Sequence, residues 1–304
     1  MTTVHPFHTA PRHRPAPASA VPDLATLVPW RAWLHHPALR TAPVVLVLAL
    51  IVVPPLGLRL AADHLDAAVL LFAAYFGAAW WLVLRTVLQP VSPGRGLEGT
   101  LVGLALITQV PLAMWLEELL EADSEHLLAG IVTVGVPEEL VKALPVAAIV
   151  LWLRSRGRLL APRDVLFLGV VSGIVFGCAE AVHYVLDYYV DVVGRQDALA
   201  VLWRLVANPV VHGAWAGIAA YFVGLAASRE PAQWAPLAGL GLGLAAVLHG
   251  VSNWVADSWA WVLVAGVSAL LLLAYSTVGV PARVQADPPT TPIAFRGPDG
   301  RWWA

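Results

Sequence analysis

Residues 164–186 read DVLFLGVVSGIVFGCAEAVHYVL, an apolar run that decides the class of fold. A run of about 20 apolar residues forms a helix long enough to cross the hydrocarbon core of a bilayer. The whole chain has the same character, because 59% of its 304 residues are hydrophobic and only 12% are charged. Soluble domains have about 45–50% hydrophobic residues and about 25% charged residues. The chain is therefore predicted to be an integral membrane protein.

Similar apolar runs recur on both sides, and about eight of them have the length of a membrane span. They fall at 41–58, 66–84, 97–116, 127–153, 164–186, 205–227, 235–256 and 259–279. The predicted fold is an all-α polytopic membrane bundle of about eight transmembrane helices. It occupies one domain over 41–280, and the Pro-rich ends, 1–40 and 281–304, are predicted to be disordered tails.

The distribution of Lys and Arg predicts the orientation of these helices, because cytoplasmic loops are enriched in both residues. With the N-terminus in the cytoplasm, most of the 18 basic residues fall in the tails and the inner loops. The exceptions are Arg59, Arg195 and Arg204 in outer loops and Lys142 inside a helix. Both tails are therefore predicted to be cytoplasmic, in a multi-pass protein of the cell (plasma) membrane.

Charge and cysteine content exclude two classes of function. The net charge of −2 offers no case for nucleic acid, which requires a basic patch. The single cysteine, Cys178, lies inside an apolar run. The chain therefore has neither a disulfide framework nor a cysteine-rich metal site.

Ionisable residues inside the apolar runs point to function, because charges at membrane depth are costly and face a bundle interior or a wet cavity. Residues 134–142 read VGVPEELVK, which sets Glu138 and Glu139 one helical turn before Lys142. Pro137 removes a backbone donor and is predicted to break the helix just before the pair. One acid with one base would indicate a structural ion pair. Two acids with one base leave an acid unpaired, which favours a functional role.

The next run carries three glycines and two polar side chains. Gly169, Gly173 and Gly177 form two overlapping G-x-x-x-G steps, which predict close packing against a neighbouring helix. Glu180 follows one turn after Phe176. His183 lies among tyrosines and is interpreted as an interfacial residue.

Two further runs carry His212, which follows Asn208-Pro209, and the pair His249 and Asn253 at i,i+4. The helices alternate in direction and rise about 1.5 Å per residue. The side chains of Glu138, Glu180, His212 and His249 are therefore predicted to meet in one layer in the outer half of the membrane.

These residues resemble, in order, the motifs of the PrsW-type intramembrane proteases over roughly residues 95–280. The matching residues are Glu138-Glu139-x-x-Lys142 for E-E-x-x-K, Phe176-x-x-x-Glu180 for the second motif, His212 for the lone histidine of the third, and His249-x-x-x-Asn253 for H-x-x-x-[ND]. The related CAAX-prenyl endopeptidases carry Arg and His where this chain has Lys142 and Glu180. The resemblance is therefore to the PrsW branch of the superfamily.

The resemblance implies hydrolysis of peptide bonds within or beside the bilayer. Its implied partner is a membrane-protein substrate, such as a single-span protein of the anti-sigma-factor type. The implied catalytic residues are Glu138, Glu139, Lys142, Glu180, His212, His249 and Asn253. Glu138 would act as the base toward water, while His249 and Asn253 would donate to the oxyanion. Glu139 and Lys142 would hold the helix break and set the local charge. His212 and Glu180 would orient the water or complete a metal site.

Two mechanisms are open at this stage, with zinc as the candidate cofactor of one. His212, His249 and Glu138 would form a catalytic zinc set with one open position. However, no two histidines share a helix at i,i+4, and Asn253 suits an oxyanion donor better than a zinc ligand. The residues therefore favour a metal-independent, glutamate-based mechanism.

Two other functions are alternatives to proteolysis. Buried ionisable residues also occur in ion- or proton-coupled transporters, although the paired broken helices of many transporters are missing from the sequence pattern. A catalytically inactive membrane scaffold of the same fold is the second alternative. The presence of both the acid pair and the His/Asn pair argues against it.

Overall fold

A computed structural model of the chain describes residues 52–54, 56–57, 59–60, 63–91, 93–189, 198–256, 258–277, 295–296 and 302–303. Its long helices are α1 (Leu65–Leu88), α2 (Arg95–Leu119), α3 (Val136–Ser155), α4 (Pro162–His183), α5 (Ala198–Ala227), α6 (Trp234–Trp254) and α7 (Ala260–Thr277). Shorter elements are the helical turn Leu127–Ala129, the π-helical turns Gly130–Gly135 and Tyr184–Tyr189, and the 3₁₀ turn Pro231–Gln233. The two-residue strands Phe295–Arg296 and Trp302–Trp303 pair antiparallel.

The helices confirm an all-α polytopic membrane fold. Among the described residues, six helices are long and apolar enough to cross a membrane, namely α1, α2, α4, α5, α6 and α7. The predicted segment 127–153 is also helical, but α3 carries three charged residues near its start. The segment 41–58 and the tails 1–40 and 281–304 lie almost entirely outside the described residues. The count of eight spans and the cytoplasmic placement of the termini stay predictions.

Helices α4 and α5 form the centre of the bundle. In α4, 78% of the apolar span is buried, and in α5 83%, whereas the spans of α1, α2, α6 and α7 are only 17–33% buried. The outer helices expose large apolar side chains such as Ile107 and Val262. Exposed apolar faces of this kind suit lipid rather than water. The polar side chains lie instead at the centre of the bundle.

The three glycines of α4 set its distance from α5. A Cβ atom added at Gly177 would lie 2.6 Å from the Asn208 carbonyl oxygen, and one added at Gly173 would collide with the His212 carbonyl. Because real Cβ atoms do not approach so closely, only glycine allows this contact between the two backbones. The predicted packing role of the glycines is confirmed.

The π-helical turn before α3 packs in the same way against α6. A Cβ atom at Gly135 would lie 2.6 Å from the Ala246 carbonyl oxygen, and one at Gly250 would lie 2.7 Å from the Ile131 Cα atom. The break predicted before Pro137 is therefore a π turn within continuous helix, a feature common near functional sites. This contact brings the start of α3 next to His249.

Candidate active site

Six of the predicted site residues meet in one cluster inside the bundle. They come from four helices: Glu138, Glu139 and Lys142 from α3, Glu180 from α4, His212 from α5 and His249 from α6. All but Glu180 are buried, with at most 4% of the residue surface exposed. The layer of polar groups expected from helix depth is therefore a real side-chain cluster.

Lys142 is the cation at the centre of this cluster. Its Nζ atom lies 2.7 Å from Glu139 Oε1, 3.1 Å from Glu138 Oε2 and 2.8 Å from His212 Nδ1. The ammonium group also lies 4.3 Å from the centroid of the Phe176 ring, within the range of a cation–π interaction. A buried charge is tolerated only when it is paired and hydrogen-bonded in this way.

Glu139 connects the lysine to α6. Its Oε1 atom accepts a hydrogen bond from Lys142 and lies 3.1 Å from His249 Nδ1. The side chain is fully buried and does not line the cavity described below. Glu139 therefore holds the lysine and the histidine in position.

His212 is bonded through both ring nitrogens. A lysine ammonium can only donate, so Nδ1 accepts from Lys142 and Nε2 carries the proton. Nε2 donates to Glu180 Oε2 at 2.8 Å, and the same oxygen accepts from Asn208 Nδ2 at 3.1 Å. Sequence reasoning noted Asn208 only as the residue before Pro209, within an α5 that continues through the proline. The interaction of Asn208 with Glu180 could not be found from spacing, because the two lie on different helices.

Trp215 is a second residue that sequence reasoning missed. Its ring stacks on His249 with centroids 4.5 Å apart and meets the His212 ring edge-on at 5.0 Å. Its Nε1 atom donates to the Ser268 hydroxyl. The available signal was its position three residues after His212, on the same helix face.

A cavity of about 530 Å³ lies beside this cluster and reaches the surface. Its wall is formed by Val110, Ala113, Met114, Glu117, Glu118, Glu121, Ala122, Glu138, Phe176, Glu180, His183 and Tyr184. Glu138 and Glu180 are thus the cluster residues on the wall, with His212 and His249 behind them. The buried Glu138 Oε2 atom makes an ion pair with Lys142 at 3.1 Å but no hydrogen bond to a described residue. A buried carboxyl oxygen with an unused lone pair can accept a hydrogen bond from a ligand or water.

Glu117 is a further acid at this position. It lines the cavity together with Glu138, and the two carboxyl groups are close enough to interact. The predicted span 97–116 ends just before Glu117, whereas the structure places this residue in the last turn of α2. The helical spacing from Val110, Ala113 and Met114 was the signal that could have located it.

The loop after α2 is ordered by its own hydrogen bonds. Asp123 accepts from the backbone N–H of Glu125 and lies 2.8 Å from His126 Nδ1. The hydrogen bond from His126 lowers the pKa of the Asp123 carboxyl below its usual value.

Two predicted residues lie apart from the charged cluster. His183 lines the cavity together with Glu138 and Glu180, whereas the sequence suggested a position at the membrane interface. Its ring meets the Tyr184 ring edge-on, with centroids 6.1 Å apart. Asn253 is half-buried one turn after His249, and its side chain forms no hydrogen bond with the described residues. Its role as an oxyanion donor stays a prediction.

Glu138, His212 and His249 could hold a metal ion. Each offers one ligand atom, and these atoms lie within 4.8 Å of one another. His249 Nε2 and His212 Nδ1 lie 3.7 and 3.8 Å from Glu138 Oε2. The remaining nitrogens face Glu139 and Glu180, the carboxylate–histidine arrangement typical of metal-bound histidines.

Comparison with protein-family models matches residues 67–280 to the PrsW-protease family, described as PrsW family intramembrane metalloprotease. No curated protein and no solved structure gives a significant match. The matched range includes every residue of the cluster and the whole cavity wall. The chain belongs to the PrsW family of intramembrane metalloproteases.

Proposed function

We propose that this chain is an intramembrane endopeptidase in which Glu138 activates the attacking water in the outer half of the bilayer. The observation that carries the proposal is the buried Glu138 carboxyl group. The residue lies on the wall of a cavity of about 530 Å³, and its Oε2 atom makes no hydrogen bond to a described residue. A general base must be within hydrogen-bond reach of the proton it removes. A water bound at this oxygen satisfies that condition.

The reaction begins when the Glu138 carboxylate takes a proton from water and the water oxygen bonds to the carbonyl carbon of the peptide. The negative charge that develops on the carbonyl oxygen needs a donor, and the proposed donor is His249 Nε2, which lies 3.7 Å from Glu138 Oε2. Because Nδ1 faces Glu139, donation from Nε2 requires the imidazolium form, whose charge Glu139 balances. The Glu138 carboxylic acid then protonates the amine, which leaves as the C–N bond breaks.

The other cluster residues position these groups. Glu180 lies on the cavity wall, held by His212 and Asn208, where it can accept the second water proton. Lys142 contacts both Glu138 and Glu139, and its positive charge reduces the repulsion between the two carboxyl groups.

The family description implies a metal, and the donor set fits one. Glu138 Oε2, His212 Nδ1 and His249 Nε2 would hold the ion, which would supply a Lewis acid for the carbonyl and a more acidic water. It would compete with Lys142, whose ammonium already contacts Glu138 Oε2 and His212 Nδ1. This competition supports the glutamate-based mechanism as the resting arrangement.

The proposed substrate is a membrane protein with a single span, cut next to the outer end of that span, in the cell membrane. The cavity supports this because its wall is formed by the ends of α2 and α4, on the side that the distribution of basic residues assigns to the outside.

The test is cleavage of a single-span reporter by the purified protein in liposomes. Glu138→Gln keeps the size of the side chain and removes the base, so the rate should fall by at least about 10²-fold. Glu230→Gln is the matched control, because Glu230 is exposed before α6 and does not line the cavity. Full activity of Glu138→Gln at wild-type protein level would contradict the proposal.

A further inference from the structure

The wall that α2 contributes to the cavity changes from apolar to acidic along its length. Val110, Ala113 and Met114 are followed by Glu117 and Glu118, a spacing that places all five on one helix face. At about 1.5 Å per residue, the face extends roughly 12 Å from Val110 to Glu118. Glu121, just after the helix, continues the acidic end.

The acidic end of this wall has no positive partner in the part of the chain that the structure describes. Glu118 and Glu121 are exposed, no ion pair joins them to a described residue, and neither Lys nor Arg is in the cavity wall. Arg204 lies 3.9 Å from the centroid of the Tyr184 ring, outside the wall. Lys142 is behind it, paired with Glu138 and Glu139.

The same cavity wall contains the proposed base. The Glu138 side chain is only 5% exposed and lies in the wall. Its Oε2 atom makes an ion pair with Lys142 at 3.1 Å and no hydrogen bond to a described residue. Glu117 lines the same wall as Glu138, which places the acidic end of α2 at the level of the proposed base. A segment whose peptide bond reaches Glu138 therefore passes Glu118 and Glu121 next.

We propose that Glu118 and Glu121 form an acidic rim that selects membrane-anchored substrates with Lys or Arg directly outside the apolar span, beside the bond that is cut. A substrate whose sequence changes from apolar to basic complements a wall that changes from apolar to acidic. Single-span proteins usually carry their basic residues on the cytoplasmic side, so an outer basic flank marks a minority of them. This inference rests on the proposed function and names the substrate class of the same site.

The test uses full-length protein in liposomes and reporters that share one transmembrane segment but carry three Lys, three Gln or three Glu in the outer flank. The Lys reporter should have a kcat/KM about tenfold above the Gln reporter at low salt, because two exposed ion pairs together give roughly this factor. The difference should appear in KM. It should shrink at about 1 M salt, where the screening length is about 3 Å.

Substitutions of Glu118 and Glu121 test whether the preference for a basic flank depends on these two residues. In E118Q/E121Q the ratio of Lys to Gln reporter should fall to about one, and in E118K/E121K the Glu reporter should become the preferred substrate. E125Q is the matched control, because Glu125 is exposed in the same loop but is not in the cavity wall, and it should keep the wild-type ratio. A ratio of one in the wild type, or a preference that persists in E118Q/E121Q or disappears in E125Q, would overturn the rim.

A binding measurement separates this inference from the proteolytic function. The E138Q variant in liposomes should bind the Lys reporter more tightly than the Gln reporter, and the Gln reporter more tightly than the Glu reporter, without cleaving any of them. Preference in binding with no cleavage by the wild type would support the rim and reject the protease. Equal cleavage of all three reporters would support the protease and reject the rim. A soluble Lys-flanked peptide that is cut as well as the anchored reporter would overturn the membrane-anchored class.

Discussion

Gly173→Ala should disable the enzyme by moving a helix, although residue 173 contacts no substrate. The new Cβ atom would lie 2.5 Å from the His212 carbonyl carbon and 2.8 Å from the Gly213 Cα atom. Ordinary van der Waals contact starts at 3.4 Å, so α4 and α5 must separate by about 1 Å. Overpacking of this kind costs about 1–3 kcal/mol, partly offset by the roughly 1 kcal/mol that Ala gains over Gly in a helix.

The effect on activity should exceed the effect on stability. A separation of 1 Å lengthens the 2.8 Å bond between His212 Nε2 and Glu180 beyond hydrogen-bond range. Misplacement of catalytic groups by about 1 Å can cost about 10²-fold in rate. We therefore expect a loss of about 10²-fold in kcat/KM with a stability loss of at most about 2 kcal/mol.

The assay compares reporter cleavage and thermal unfolding of the reconstituted variant with those of Gly103→Ala. Gly103 lies within α2, and an added Cβ atom there meets nothing within 4 Å. The control should therefore keep its activity and its stability. Wild-type cleavage by Gly173→Ala would refute the claim that the α4–α5 contact sets the geometry of His212 and Glu180.

Four further predictions concern the topology, His249, His183 and the metal content. Reporter fusions after residue 158 should read cytoplasmic and fusions near 123 external, as the basic residues predict; an external reading at 158 would reverse the orientation. His249→Ala should lower cleavage by at least about 10²-fold, the typical size of an oxyanion donor. His183→Ala should retain activity at equal protein level, because the proposed reaction draws neither base nor oxyanion donor from it; equal losses in the two variants would contradict these roles. Active, chelator-treated protein should contain no stoichiometric zinc, whereas activity that is lost on zinc removal and restored on its return would establish the metal mechanism.

Much of the fold was predictable because its signals are local. Apolar runs of about 20 residues define spans without reference to any neighbour, and the predicted segments 66–84, 97–116 and 164–186 overlap α1, α2 and α4 closely. The site was predictable in part for the same reason. Glu138, Glu139 and Lys142 lie within two turns of one helix, and the rise of the helices placed Glu180, His212 and His249 at a common depth.

The sequence by itself determined a helical membrane protein, the packing role of Gly173 and its neighbours, and the family to which the motifs belong. Only the tertiary structure decided which polar groups meet. The pairing of Glu180 with Asn208, the stacking of Trp215 on His249 and the position of Glu117 beside Glu138 each join residues from different helices. Periodicity fixes the face and depth of a residue within its own helix, but the rotation of one helix against another depends on how their side chains pack.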